Sequence, residues 1–168
     1  MRLGRRLLWL ALCAAALHTA QAADALQRRV SGTLQTRDGV ALRYSALLPP
    51  GRGPFPVIVN YSGYDAGAIG GLRWREGDTA MSADLDRYLL AHGYAVLGGS
   101  DGEFDFLGPS YGQDGYDVVE FAARQSWSNG AVGMANWSWA GMSQLMTAAE
   151  RPPHLRAIAP GMVVGDMR

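Results

Sequence analysis

The sequence predicts an α/β domain with a mostly parallel sheet and an antiparallel hairpin at its amino-terminal end. Two observations lead to this prediction. Short, continuous apolar runs, of the kind that is buried on both faces of a parallel sheet, alternate with segments of helical periodicity. Ahead of the first run, two segments of alternating polarity flank an Asp-Gly dipeptide, which is typical of a tight hairpin turn. A chain of 168 residues has room for one such domain.

The predicted elements can be assigned in chain order. Residues 30–36 and 41–48 are expected to form the hairpin, because Asp38-Gly39 supplies the positive φ that its turn requires. Strands and helices then alternate along the chain. They are a strand over 56–60, a helix over 79–91, a strand over 94–97, a helix over 113–125, a strand over 131–135, a helix over 139–150 and a strand over 155–159.

Local signals indicate where these elements end. Gly93 ends the first helix, Asn129-Gly130 predicts a turn before the next-to-last strand, and Pro152-Pro153 separates the last helix from the last strand. The apolar face of the first helix is expected to comprise Met81, Leu85, Tyr88 and Leu89.

The first 22 residues have the pattern of a secretory signal peptide. A positive segment with three arginines precedes an apolar segment over 7–17, which is too short to span a bilayer. Ala20-Gln21-Ala22 then provides a small-x-small cleavage signal. We predict that residues 1–22 are removed and that the mature chain, from Ala23, is exported to the periplasm or secreted, with no membrane association after cleavage.

The composition of the mature chain argues against several classes of function. All fifteen basic residues of the full sequence are arginine, and the twelve in the mature chain are scattered, so nucleic acid is not an expected partner. The single cysteine, Cys13, lies in the predicted signal peptide, so disulfides, thiolate catalysis and cysteine-bound metals are not expected. A chain without lysine cannot form a G-x-x-x-x-G-K phosphate loop, which argues against a flavodoxin-like nucleotide domain. The sequence predicts neither a cofactor nor a metal site.

Two serines are candidates for a catalytic nucleophile. Ser100 fits the G-x-S-x-G pattern literally, whereas Ser138 follows a predicted strand and directly precedes a predicted helix. A nucleophile elbow requires an immediate helix start, so that N-terminal N–H groups face the developing oxyanion, and it requires small flanking residues. Ala140 and Gly141 meet the second requirement for Ser138. About a dozen loop residues separate Ser100 from the next predicted helix, so Ser138 is the predicted nucleophile.

Nine short motifs, in order and at characteristic spacing, carry a resemblance to a known family. They are Arg37-Asp38-Gly39-Val40, Pro54-Phe55-Pro56-Val57, Tyr64-Asp65, His92-Gly93-Tyr94-Ala95-Val96, Ser100-Asp101-Gly102-Glu103-Phe104, Asp114-Gly115-Tyr116-Asp117, Trp127-Ser128-Asn129-Gly130-Ala131-Val132-Gly133-Met134, Ser138-Trp139-Ala140-Gly141 and Ala157-Ile158-Ala159-Pro160. Over 30–168 the chain resembles the N-terminal part of the X-Pro dipeptidyl-peptidase and cocaine esterase-like (CocE/NonD) family of α/β-hydrolases.

The resemblance implies an α/β-hydrolase fold and hydrolysis of a small ester, amide or short peptide through an acyl-enzyme, without a cofactor. It implies that Ser138 is the nucleophile, that the backbone N–H of Trp139 is one oxyanion donor, and that the hydroxyl group of Tyr64 is the second.

The partners of Ser138 are not expected within this sequence. In α/β-hydrolases the acid and the histidine follow the serine on later strands, and the sequence ends one strand after the nucleophile helix. His92 and His154 each precede a strand, at the amino edge of the sheet, so neither is a candidate base. We therefore predict that residues 23–168 are the N-terminal portion of a catalytic domain and that this portion is inactive alone.

Two departures from the family pattern motivate an alternative hypothesis. Asn136 stands where the family elbow has glycine, and the loop after Val96 lacks the D-x-R-G-x-G segment. The alternative is a catalytically inactive α/β-hydrolase-like module that binds a ligand or partner.

Overall fold

The computed structural model describes residues 28–63, 83–100 and 108–163. The predicted signal peptide, Cys13, Met81 and Tyr64 lie outside the described residues. The strands are β1 (Arg28–Gln35), β2 (Ala41–Leu48), β3 (Phe55–Tyr61), β4 (Ala95–Ser100), β5 (Ser128–Trp137) and β6 (Leu155–Gly161), and the helices are α1 (Ala83–Ala91), α2 (Pro109–Ala123) and α3 (Trp139–Ala149). The predicted succession of a hairpin followed by alternating helices and strands is confirmed. Within this part of the chain, no helix is both long and apolar enough to cross a membrane.

One sheet contains all six strands, in the order β1-β2-β4-β3-β5-β6. Strand β2 runs antiparallel to both of its neighbours, and the β4-β3, β3-β5 and β5-β6 pairs are parallel. The four parallel strands therefore present their carboxyl ends at one edge of the sheet, where α/β proteins place their functional groups.

Helices cover both faces of the sheet. Side chains alternate along a strand, so Leu47 and Val96 lie on the opposite face of the sheet from the residues next to them in the sequence. On that face they pack with Leu90 and Leu89 of α1. Helices α2 and α3 pack on the opposite face, where the larger core cluster lies. Its fully buried members include Leu42, Ala46, Val57, Val59, Leu97, Val118, Val119 and Val132.

Helices α2 and α3 are in close contact because two glycines of α2 face α3. A Cβ atom at Gly112 would lie 2.9 Å from the carbonyl oxygen of Met146, and one at Gly115 would overlap the hydroxyl group of Thr147. Any side chain at these two positions would push the helices apart.

The turn of the hairpin contacts α2 through the side chain of Arg37. Gly39 has φ +90°, as the Asp-Gly signal predicts, and its N–H donates to the carbonyl oxygen of Thr36 at 3.0 Å. The guanidinium group of Arg37 donates to the carboxylate of Asp117 at 2.8 Å and lies 4.5 Å from the ring centroid of Tyr116. These contacts hold the turn of the hairpin against α2.

Two local predictions are wrong. Asn129-Gly130 lies within β5, where Gly130 has φ +82° and the β3-β5 register shifts, so the dipeptide forms an irregularity inside the strand instead of a turn before it. Tyr88, predicted to lie on the apolar face of α1, is 61% exposed, and its ring stacks on His92. The buried residues of α1 are Asp86 and Leu90, four residues apart, and Leu89 of the predicted face is half-buried and packs beside Leu90.

Asp86 is a buried residue of α1 that sequence periodicity did not predict. Its side chain is 2% exposed, and its buried Oδ2 atom accepts no hydrogen bond from the described residues. Burial raises the pKa of Asp86 from its ordinary value of 3.8 to about 7, although the positive charge of Arg87 partly opposes this shift.

This burial predicts a pH-dependent stability. Between about pH 4 and pH 7 the folded state keeps a proton on Asp86 that the unfolded state has lost, so the free energy of unfolding should fall as pH rises through this window. We expect Asp86→Asn to remove this dependence and to be more stable than the wild type at pH 8 by roughly 2–4 kcal/mol. Urea unfolding followed by tryptophan fluorescence at pH 5 and pH 8 measures both effects.

The exposed Asp84, two residues earlier in α1, provides the matched control. Asp84→Asn should keep the pH dependence of the wild type. An equal loss of stability between pH 5 and pH 8 in the wild type and in Asp86→Asn would contradict the assignment.

Candidate active site

Ser138 occupies the junction between β5 and α3. The strand ends at Trp137 and the helix begins at Trp139, so Ser138 alone makes the connection. Its backbone has φ +58° and ψ −127°, a combination that residues other than glycine rarely adopt and that costs about 1–3 kcal/mol. A single residue in this conformation turns the chain from strand to helix within one step and leaves the side chain at the turn.

Main-chain hydrogen bonds hold this turn in place. The N–H of Ser138 donates to the carbonyl oxygen of Gly161 at 3.0 Å, which ties the junction to the end of β6. The carbonyl oxygen of Ser138 accepts the N–H groups of Gly141 and Met142, both at 2.9 Å, as the helix begins. None of these three bonds uses the serine side chain.

Small residues allow α3 to approach the sheet at this point. A Cβ atom at Gly141 would overlap the carbonyl oxygen of Gly161 and would lie 3.0 Å from Cγ1 of Val163. A Cβ atom at Gly161 would lie 3.1 Å from Cβ of Trp137. Gly141 was predicted from its small size and its place after Ser138, whereas the contribution of Gly161, at the end of β6, was not predicted.

Asn136 shows how the chain accommodates the absence of the family glycine. Its φ of 150° lies in the region that favours glycine. The side-chain Oδ1 atom of Asn136 accepts the N–H of Trp137 at 2.9 Å, so the short polar side chain folds back onto its own backbone. The turn is therefore formed despite the substitution.

Trp139 is the first residue of α3, so its amide group lies at the N-terminus of that helix. The helix macrodipole favours a developing negative charge at this position, as an oxyanion requires. The first turn of α3 contains no acidic side chain that would oppose this field. Ser138 and Trp139 are both half-buried.

An aromatic cluster packs beneath the turn. The rings of Tyr61 and Tyr111, which are buried, have centroids 4.7 Å apart, and the ring of Trp139 lies 6.5 Å from that of Tyr111. The cluster joins the end of β3, the first turn of α2 and the first turn of α3. Trp139, the residue after Ser138, therefore packs on Tyr111 of α2, which in turn packs on Tyr61 at the end of β3.

The other candidate site residues are Ser100, the second serine considered as nucleophile, and Tyr64. Ser100 is the last residue of β4, the next described helix, α2, begins at Pro109, and residues 101–107 between them lie outside the described residues. Tyr64, the predicted second oxyanion donor, lies outside the described residues, three positions after the end of β3. The catalytic roles of Ser138, Trp139 and Tyr64 remain predictions.

The described histidines lie at the opposite edge of the sheet from Ser138. His154 precedes β6, whose other end receives the N–H of Ser138, a separation of roughly 20 Å along the strand. Its Nδ1 atom lies 2.8 Å from Oε2 of Glu120. His92 follows α1, and its Nδ1 atom lies 2.7 Å from the carbonyl oxygen of Tyr88. In residues 28–63, 83–100 and 108–163, no cluster of acidic, histidine or cysteine side chains is arranged to hold a metal ion.

One known protein family matches most of this chain. A sequence profile described as X-Pro dipeptidyl-peptidase (S15 family) matches residues 38–168. The chain belongs to this family of hydrolases. The resemblance inferred from the nine motifs is thereby confirmed, and with it the α/β-hydrolase fold.

Individual relatives support the family assignment. The chain is 31% identical to cocaine esterase from Rhodococcus sp. (strain MB1 Bresler) over 142 residues, which are 78% of this chain and 23% of that protein. A CocE/NonD family hydrolase from Staphylococcus aureus superimposes with a TM-score of 0.65 at 26% identity, covering 80% of this chain and 28% of that one. An aminopeptidase from a Thaumarchaeota archaeon has the same fold, with a TM-score of 0.68 at 24% identity and coverages of 84% and 27%.

This S15-family chain spans about a quarter of the length of each of these three relatives. The part that it spans contains the strand-to-helix junction with Ser138.

Proposed function

We propose that the protein containing this chain is a serine hydrolase that cleaves an ester or amide bond through an acyl-enzyme on Ser138. One observation carries the proposal: Ser138 alone joins β5 to α3, with the strained backbone of φ +58° at the helix N-terminus. Strain of this kind persists only where the surrounding structure enforces it, and it is concentrated at functional sites. Membership of a hydrolase family supports the same assignment.

Ser138, Trp139, Tyr64 and the base each have a proposed role in the reaction. The Oγ atom of Ser138 attacks the carbonyl carbon of the substrate while a base takes the hydroxyl proton. The N–H of Trp139 and the hydroxyl group of Tyr64 donate hydrogen bonds to the tetrahedral oxyanion. The bond to the leaving group then breaks, the leaving group takes the proton from the base, and water hydrolyses the acyl-enzyme by the same sequence of steps.

The base and its orienting acid are proposed to lie C-terminal to residue 168. The serine, acid and histidine of α/β-hydrolases follow one another in that order, and His92 and His154 are at the wrong edge of the sheet. Residues 23–168 alone are therefore proposed to be inactive.

The proposed substrates are small esters, amides or short peptides. The family description names a dipeptidyl-peptidase, and the relative that is 31% identical is named as an esterase, so both bond types are included. We further propose that residues 1–22 direct export to the periplasm or the medium. Edman sequencing of the protein from culture supernatant and periplasm is expected to begin at Ala23.

Labelling with a fluorophosphonate tests the proposal. The whole protein that contains this chain is treated with the reagent, digested and analysed by mass spectrometry. We expect the adduct on the peptide that contains Ser138 and no adduct on the peptide that contains Ser100. Complete absence of labelling in a folded protein would instead support the second candidate, a binding module without activity, for which Asn136 in a glycine-favouring conformation is the motive.

A further inference from the structure

Two adjacent polar side chains of α3 are buried in the structure, although sequence analysis assigned them no role. Ser143 is 0% exposed and Gln144 is 1% exposed. They interrupt an otherwise apolar stretch, Met142-Ser143-Gln144-Leu145-Met146. This interruption is the feature of the sequence from which their role could have been predicted. A buried polar group is destabilising unless it is hydrogen-bonded, so the partners of these two side chains indicate what they do.

Gln144 connects the helix to two strands. Its Nε2 atom donates to the carbonyl oxygen of Ala140 at 2.8 Å and to that of Asn136 at 3.1 Å. Its Oε1 atom accepts the N–H of Ala159 at 3.0 Å. One amide group therefore joins the first turn of α3 to β5, two residues before Ser138, and to β6, two residues before Gly161.

Ser143 connects the same helix to a third strand. Its hydroxyl group lies 2.6 Å from the carbonyl oxygen of Tyr61 and 3.1 Å from that of Ala140. Tyr61 is the last residue of β3, three positions before Tyr64. This contact spans 82 positions of sequence and links the helix of the predicted nucleophile to the strand that leads to the predicted second oxyanion donor.

We propose that Ser143 and Gln144 are positioning residues that hold the Ser138 junction in register with the ends of β3, β5 and β6. The inference rests on the proposed serine hydrolase function. The side-chain hydrogen bonds of the pair within the described residues go to backbone groups, so the pair fixes main-chain positions, namely the turn at Ser138 and the amide of Trp139 relative to the end of β3. Neither residue is assigned contact with the substrate.

Substitutions that preserve side-chain volume test this role. Gln144→Met keeps the approximate length and removes the donor and the acceptor, and Ser143→Ala removes only the hydroxyl group. Hydrolysis of a p-nitrophenyl ester by the whole protein should lose roughly 10- to 100-fold in kcat, with KM changed by less than about threefold, because displacement of a reacting group by about 1 Å has an effect of this size. Amide hydrogen exchange over residues 136–142 should accelerate.

Thr147 provides the matched control on the same helix. It is 0% exposed, and its Oγ1 atom has no hydrogen-bond partner among the described residues. Thr147→Val keeps the shape and removes the hydroxyl group. This variant should retain the wild-type kcat, KM and exchange rates over 136–142.

The results distinguish a positioning role for the pair from a general structural role and from failure of the proposed function. Unchanged kcat and unchanged exchange in both Gln144→Met and Ser143→Ala would overturn the inference. Faster exchange throughout the sheet, with kcat reduced only by the unfolded fraction, would also overturn it, because it would indicate a general structural role. If the wild type neither hydrolyses esters nor reacts with a fluorophosphonate, the proposed function fails, and the exchange rates still decide whether the pair holds the junction. Should Gln144→Met not fold, Gln144→Glu keeps the acceptor for Ala159 and serves in its place.

Discussion

Ser138→Ala is expected to lower kcat for hydrolysis of an activated ester by on the order of 10⁶ in the whole protein, the effect found when an acylated serine is removed from a catalytic triad. The fold should survive the substitution. The N–H and carbonyl oxygen of Ser138 make the bonds to Gly161, Gly141 and Met142, and alanine retains both groups. The loss should therefore appear in kcat and not in the melting temperature.

Steady-state kinetics and thermal unfolding of the same preparations measure these two quantities. Ser100→Ala is the control, because Ser100 also matches the G-x-S-x-G pattern but ends β4 and is not the residue that joins β5 to α3, and it should keep near wild-type activity. Tyr64→Phe should fall between the two, with a loss of roughly 10²–10³ for one oxyanion donor. The proposed mechanism is wrong if Ser138→Ala retains more than about a hundredth of the wild-type kcat.

Gly141→Ala is expected to reduce both stability and activity. The added methyl group would overlap the carbonyl oxygen of Gly161, a backbone atom that cannot rotate away, so α3 would have to move from β6. Overpacking of this kind costs about 1–3 kcal/mol or more. The same displacement would move Ser138 and the amide of Trp139, so kcat should fall by roughly 10²-fold in the molecules that remain folded.

Gly99→Ala is the matched control for this glycine. A Cβ atom at Gly99, a residue of β4, would lie 3.6 Å from Cγ1 of Val118, which is an ordinary contact. Urea unfolding and ester hydrolysis should therefore distinguish the two variants. Equal stability and equal kcat in Gly141→Ala and Gly99→Ala would show that the approach of α3 to β6 is not limiting.

The order of strands and helices could be predicted because it depends on local pattern. Apolar runs, helical periodicity and the Asp38-Gly39 signal each act over a few residues, and the structure confirms them. The same local reasoning failed at Asn129-Gly130, because a dipeptide that favours positive φ fits an irregularity inside a strand as well as a turn. It failed at Tyr88 because the orientation of α1 on the sheet, which depends on distant residues, turns Asp86 and Leu90 inward and leaves Tyr88 exposed.

In the candidate site, too, features that depend on adjacent residues were predictable, and features that depend on distant contacts were not. The junction at Ser138 was predictable because strand, serine and small residues are adjacent in the sequence. The contributions of Gly161 and Ser143 were not, since they depend on contacts with elements distant in the chain, such as the bond from Ser143 to Tyr61. Buried Asp86 was missed for a related reason, because an acidic residue in an amphipathic helix is ordinarily expected to face solvent.

The two glycines of α2 that face Met146 and Thr147 also limit how this enzyme family member can diversify. A side chain at either position would separate α2 from α3 and displace the junction at Ser138, so both positions are expected to stay glycine in any variant that keeps this packing.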